Sequence, residues 1–210
     1  MTEIAPETIG DWLSKFARCH GDPAVSLDGA TAVLTAPDGV TARLVGAVSG
    51  TARRGEPDWL ARWAMPPRAT GIVLVRRGGY AVGLGQGPRL LTHKCGTRYV
   101  QARTAAGGWS QQRFARRRGN QAADLAGAVA QLVVDRVLPG MPRLLILGGD
   151  RGLVRDVVAD RRLAALQPLA RREFYDLPDP GLAVLRRALW RGRAVRISVT
   201  GPPEPGPGII

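Results

Sequence analysis

The chain has 210 residues, 45% hydrophobic and 22% charged, a composition ordinary for one large or two small globular domains that excludes disorder as the main state. Thirty Lys and Arg against 17 Asp and Glu give a net charge of +13. No apolar run of about 18 residues is present, which excludes a membrane-spanning helix, and the acidic start Met1-Thr2-Glu3-Ile4-Ala5-Pro6-Glu7 lacks a secretory signal, so a cytoplasmic location is expected.

Ile9, Trp12, Leu13 and Phe16 recur at i, i+3, i+4, i+7 and predict an amphipathic helix over 7–19, ended by Gly21 and Pro23. Cys19 and Cys95 have neither disulfide nor metal-site spacing, and His20 and His93 each lie close to one of them. Both thiols read as reduced, small buried side chains, and no metal or cofactor is expected. Asp28-Gly29 and Asp38-Gly39 are hairpin-turn dipeptides within a β-meander over 24–48. A connection containing Arg53, Arg54, Gly55 and Pro57 leads to a short helix from Asp58 to Ala64, stopped by Pro66-Pro67.

Three antiparallel strands follow, at 71–75, 80–84 and 89–93, and 97–103 reads as extended. Gly83-Leu84-Gly85-Gln86-Gly87-Pro88 superficially suggests a dinucleotide loop, but proline replaces its last glycine and no helix follows, so it reads as a hairpin turn. Residues 104–108 form a loop. A long helix over 110–137 places Phe114, Leu125, Val129, Leu132 and Val133 on a buried face and stops at Pro139-Gly140. A strand at 143–147, a turn at Gly148-Gly149-Asp150-Arg151-Gly152, helices near 153–166 and 180–191 and a strand at 194–199 complete the pattern. Asp150, Asp156 and Asp160 read as compensating helix dipoles. The expectation is an α+β fold, a mixed β-sheet flanked by helices. Its domains are an N-terminal helix and meander at 1–66, a larger domain at 67–200 and a Pro/Gly-rich tail at 201–210.

Charge is distributed unevenly. From Trp59 to Ala123, 65 residues contain no Asp or Glu and 12 Lys or Arg, among them Lys94, Arg98, Arg103, Arg113, Arg116, Arg117 and Arg118. Solvated faces ordinarily mix signs, so this stretch points to an anionic partner, and nucleic acid fits best. A membrane surface fits poorly, because the most basic run has little apolar area beside it. Within the stretch, Gly107 and Gly108 allow close backbone approach and Ser110 suits an N-cap. Trp109 in an exposed loop suits base stacking. Gln111 and Gln112 are neutral amides able to donate and accept at a water or a carbonyl.

The segment Gly107-Gly108-Trp109-Ser110-Gln111-Gln112-Arg113-Phe114-Ala115-Arg116-Arg117-Arg118 resembles the Gly-Gly-Gln loop and following helix in the middle domain of eukaryotic and archaeal class-I peptide-release factors. With His93-Lys94, Arg98-Tyr99-Val100 and Gly119-Asn120-Gln121 it is more similar still to the actinobacterial branch of the Vms-one-like release factors, which are peptidyl-tRNA hydrolases. The resemblance runs over about 68–200 in element order and implies a ribonuclease H-like core. It also implies hydrolysis of the ester between nascent peptide and tRNA on the large ribosomal subunit, during rescue of stalled ribosomes, by a protein that is monomeric off the ribosome. Gln111, or else Gln112, would place the water; Gly107 and Gly108 would permit the approach. Trp109, Ser110, Lys94, Arg98, Arg103, Arg113, Arg116, Arg117 and Arg118 would hold rRNA or tRNA.

The sequence departs from the release-factor pattern in carrying Trp109, not glutamine, directly after the glycines. Which glutamine acts therefore stays open, as does cleavage of the tRNA acceptor end in place of the ester. A non-catalytic RNA- or ribosome-binding module is the competing reading from another class. A magnesium-dependent nuclease ranks lower, since the basic stretch offers no carboxylate ligands.

Overall fold

The computed structural model describes residues 1–48, 58–66, 69–97 and 109–201, with the backbone alone for 109–118. The chain forms two compact units. One comprises residues 1–66 together with 193–210, the other residues 67–192.

The first unit opens with strand β1 (Thr2–Ile4), a single 3-10 turn (Pro6–Thr8) and helix α1 (Ile9–His20). Strands β2 (Ala24–Asp28), β3 (Thr31–Thr35) and β4 (Thr41–Val45) form the meander, and helix α2 (Trp59–Ala64) follows. Gly29 and Gly39 adopt φ of 54° and 85°, the left-handed turns that their Asp-Gly dipeptides predict. Alternation along β3 and β4 turns Ala32, Leu34, Ala42 and Leu44 inward, where they meet Ile9 and Phe16 of α1 and Trp63 of α2.

The second unit starts with strands β5 (Ala69–Arg76), β6 (Gly79–Gln86) and β7 (Arg89–Thr97), then helix α3 (Trp109–Arg136) and a 3-10 turn (Leu138–Gly140). Strand β8 (Leu144–Gly149), helix α4 (Arg151–Val158), a 3-10 stretch (Arg161–Leu166), strand β9 (Ala170–Phe174) and helix α5 (Leu182–Arg193) complete it. The sheet order is β7-β6-β5-β8-β9: β5, β6 and β7 are antiparallel, while β8 runs parallel to both β5 and β9. This is the mixed sheet that the sequence predicted.

Helices cover both faces, which is why β5 is buried from Thr70 to Val75 without polar alternation. Val73, Val75, Leu145 and Leu147 pack toward α3 and α4, whereas Ile72, Leu74 and Ile146 pack toward α5. The Gly-rich run at 83–88 now has a physical explanation. Gly83 and Gly85 lie in β6 beneath α5, where an added Cβ would fall 3.0 and 2.7 Å from Leu185 and Leu189. Gly87, at φ 55°, supplies the two-residue turn to β7.

Several expectations need correction. The strand near 194–199 is β10 (Val195–Thr200), and it leaves the second domain to pair between β1 and β4 in the first unit's sheet. Among the described residues the expected mixed sheet is five-stranded, and the expected meander is enlarged by β1 and β10 into a second five-stranded sheet. The helix near 153–166 is two pieces, because Asp160 accepts from the Arg162 amide and starts a new turn. Strands β1 and β9 were not expected. Cys19 is exposed and Cys95 half-buried, and both are free; burial pushes the Cys95 thiol up. The extended reading at 98–103 and the tail after Gly201 lie outside the described residues.

Candidate functional site

Helix α3 carries the candidate glutamines and arginines at its beginning and the core contacts at its end. Leu125, Val129, Val133 and Val137 recur every four residues and are fully buried, and Leu132 is half-buried beside them. The C-terminal end is fixed to the sheet: Arg136 donates to the Thr92 hydroxyl on β7 at 3.2 Å. Phe114, expected on the buried face, falls where the backbone alone is described.

Gly107, Gly108, Arg98 and Arg103 lie outside the described residues. The helix begins at Trp109, so two expectations change. Trp109 is the first helical residue rather than a loop residue, and Ser110 lies inside the first turn rather than at the N-cap. Gln111 and Gln112 are both in that first turn, about 100° apart around the axis. Positions 111, 115 and 118 continue, at alternating spacings of three and four, the line that carries Ala122, Leu125 and Val129. Positions 113, 117 and 120 continue the opposite line, which carries the exposed residues Asp124, Gln131 and Asp135. Arg116 stands beside this second line. Positions 113, 116 and 117 thus share a side of the helix, and position 118 falls on another.

Lys94 is exposed on the edge strand β7. It pairs in register with Val82, whose side chain packs in the α3-facing core, so Lys94 stands on the sheet face that α3 covers. Sequence reasoning missed a neighbour on that face, Gly96. The Tyr80 ring lies over it, and a Cβ there would come 2.5 Å from the phenol oxygen. The available signal was a lone glycine inside a strand, which marks a close approach.

Electrostatics separates the two units. Residues 67–192 hold 22 Lys and Arg against 8 Asp and Glu, whereas the rest of the chain has 8 against 9. Several of the second unit's carboxylates are engaged structurally. Asp150 caps α4 by accepting from the Gly152 and Leu153 amides, Asp179 pairs with Arg76, and Asp156 with Arg155. Arg191 hydrogen-bonds Asp176 and lowers its pKa, and Arg162 holds the Asp160 carboxyl down to about 2. Along α3 the first carboxylate in sequence is Asp124.

Comparison with known proteins gives this arrangement a family. Residues 68–198 match the model described as Actinobacteria/chloroflexi VLRF1 release factor. The chain belongs to this family. The matched span holds the whole sheet β7-β6-β5-β8-β9, helices α3 to α5 and most of β10, and it begins two residues after the first unit's N-terminal part. No curated protein matches this VLRF1 chain. Among solved structures, it is similar to the "Vms1 mitochondrial localization core", with 9% identity, a TM-score of 0.49, and coverage of 80% of this chain and 76% of that one. It is also similar to an archaeal translation termination factor, aRF1, with 16% identity, a TM-score of 0.37, and coverage of 76% of this chain and 48% of that one. The VLRF1 chain thus spans about half the length of the archaeal factor.

Proposed function

We propose that this VLRF1 release factor is a peptidyl-tRNA hydrolase that frees the nascent peptide on the large ribosomal subunit, with α3's opening turn as its working end. The observation that carries the reading is the juxtaposition on one helix of two neutral glutamines in the first turn and three arginines on one side directly after them. Membership of a release-factor family supplies the reaction class.

In this reading RNA phosphates are met by Arg113, Arg116 and Arg117, with Lys94, Arg98, Arg103 and Arg118 as further cations and Trp109 as a base platform. Gly107 and Gly108 let the backbone approach the tRNA end, and Ser110 offers a hydroxyl beside it. Gln111 places a water against the ester carbonyl, with Gln112 as the alternative. The water oxygen bonds to the carbonyl carbon, the bond to the ribose oxygen breaks, and the water's proton ends on that oxygen. A neutral amide suits the task because it orients the water without adding charge to an already anionic site, so catalysis is positional and electrostatic.

The test is release of peptide from purified stalled large subunits carrying peptidyl-tRNA, with the 3′ end of the tRNA analysed in the same samples. Gln111→Ala should lower release by about 10²-fold or more with binding nearly unchanged, leaving intact tRNA in the wild-type reaction. A shortened tRNA would replace ester hydrolysis by acceptor-end cleavage. Binding without release by any variant would favour an RNA-binding module, and full release by both Gln111→Ala and Gln112→Ala would remove the glutamines from the mechanism.

A further inference from the structure

Helix α4 and strand β9 bear none of the residues assigned to the reaction, yet they enclose a recess of about 320 Å³. Its floor is apolar, made by Leu147 of β8 with Val154 and Val158 of α4, and Tyr175 forms one wall. Around the rim stand Arg151, Arg155 and Arg171, facing a single carboxylate, Glu173.

Two of these arginines are held by neutral groups. The Arg151 guanidinium lies 4.3 Å from the centroid of the Tyr175 ring. Arg171 donates to the Gln167 backbone carbonyl at 3.0 Å and to the Gln167 side-chain oxygen at 3.1 Å. Gln167 is itself fixed, because its amide donates to the Val158 carbonyl. Arg155, by contrast, is paired with Asp156. Among the described residues neither Arg151 nor Arg171 has a carboxylate partner, and Glu173 is occupied by accepting from the Tyr175 hydroxyl at 2.9 Å. Burial first, and this bond next, push the Tyr175 phenol up. Two positioned, uncompensated guanidiniums above an apolar floor form a receptor for an anion attached to a flat, largely apolar group. The start of α4 does not compete for that anion, because Asp150 already takes its Gly152 and Leu153 amides.

We propose that this recess binds a nucleotide, its phosphate held by Arg151 and Arg171 and its base laid on the floor beside Tyr175. The shared chemistry is a nucleoside phosphate, whether free or within an RNA strand. The volume fits one nucleotide, at the small end of ligand sites, and the unit that contains the recess holds 22 of the chain's 30 Lys and Arg against 8 of its 17 Asp and Glu. The inference does not depend on the hydrolysis proposed above.

The experiment titrates the ¹⁵N-labelled full chain with AMP and, separately, with a 5′-phosphorylated RNA tetranucleotide, following the side-chain Nε–Hε signals of Arg151 and Arg171 and, in wild type and the double variant alike, the side-chain amide signals of Gln167, which also lines the recess. Saturable shifts of these signals are expected, weakened about tenfold or more in Arg151→Gln/Arg171→Gln. Shifts with AMP would identify a free or terminal nucleotide, and shifts with the tetranucleotide alone would identify a strand. Glu173→Gln removes the one opposing carboxylate and should tighten binding by about threefold, a gain that misfolding does not produce. Unmoved signals at millimolar concentrations of both probes, or undiminished binding by the double variant, would overturn the proposal.

Discussion

Glu7 and Arg193 illustrate what a single pair contributes. The Arg193 side chain is only 3% exposed and Glu7 reaches it from the rim, hydrogen-bonding its guanidinium. Partial burial of Glu7 raises its pKa, but the Arg193 hydrogen bond and charge outweigh this and leave the carboxyl below its ordinary 4.5. A carboxylate with a depressed folded-state pKa contributes stability that is complete above the unfolded value. That contribution is lost as pH falls through the folded value. Glu7→Ala should therefore destabilise the first unit by about 2 kcal/mol at pH 7, less than a fully buried pair because Glu7 keeps contact with water. Urea denaturation should show the difference from wild type shrinking as pH falls from 4.5. Nothing in the sequence pairs residues so far apart, whereas the roles of Asp150 and Asp160 were legible because each stands beside the segment whose amides it caps.

At the scale of elements, periodicity worked where one face of an element is buried. Ile9, Trp12, Leu13 and Phe16 gave α1, and Leu125, Val129 and Val133 gave α3. It failed for β9, whose Ala170-Arg171-Arg172-Glu173-Phe174 is an edge strand with three exposed residues and reads as polar chain. The candidate site was legible as composition, since an acid-free, arginine-rich run is visible in any reading, and the spacing of 113, 116, 117 and 118 already divides these positions by side in the helix expected over 110–137; which side faces the sheet follows from the burial of Leu125, Val129 and Val133. That division is testable with RNA. Arg113→Gln/Arg117→Gln should reduce the slope of log affinity against log salt by about 1.5, near the value for two phosphate contacts. Arg118→Gln should change it much less, because position 118 falls on the line of Leu125 and Val129. Equal effects per arginine, measured by fluorescence anisotropy over a salt series, would show that the opening turns do not follow the helix lines described.

For the whole molecule, the second unit is an insertion in the first. The chain leaves the first unit after Pro66, builds the β7-β6-β5-β8-β9 sheet, and returns at Arg193 to place β10 between β1 and β4. This could not be read from the sequence: Val195-Arg196-Ile197-Ser198-Val199-Thr200 announces a strand but not its partners. A chain ended at Gly192 should thus lose the first unit's cooperative unfolding, since among the described residues β1 pairs only with β10, and β4 would be left as an edge. A 67–192 fragment should unfold as a single transition and keep the salt-sensitive RNA binding that its 22 basic residues support. Calorimetry of both, with the RNA titration repeated on the fragment, checks these outcomes.

The interior position of β10 also sets a timetable for synthesis. Translation delivers β1 to β4 first, but the strand that joins β1 to β4 is made more than a hundred residues later. Through that interval the nascent meander carries an open edge at β4, where Leu44 and Ala42 will finally pair with Ile197 and Val199. The segment made earliest is therefore the last to be completed, and its waiting edge is where a chain interrupted in synthesis would pair with a neighbour instead.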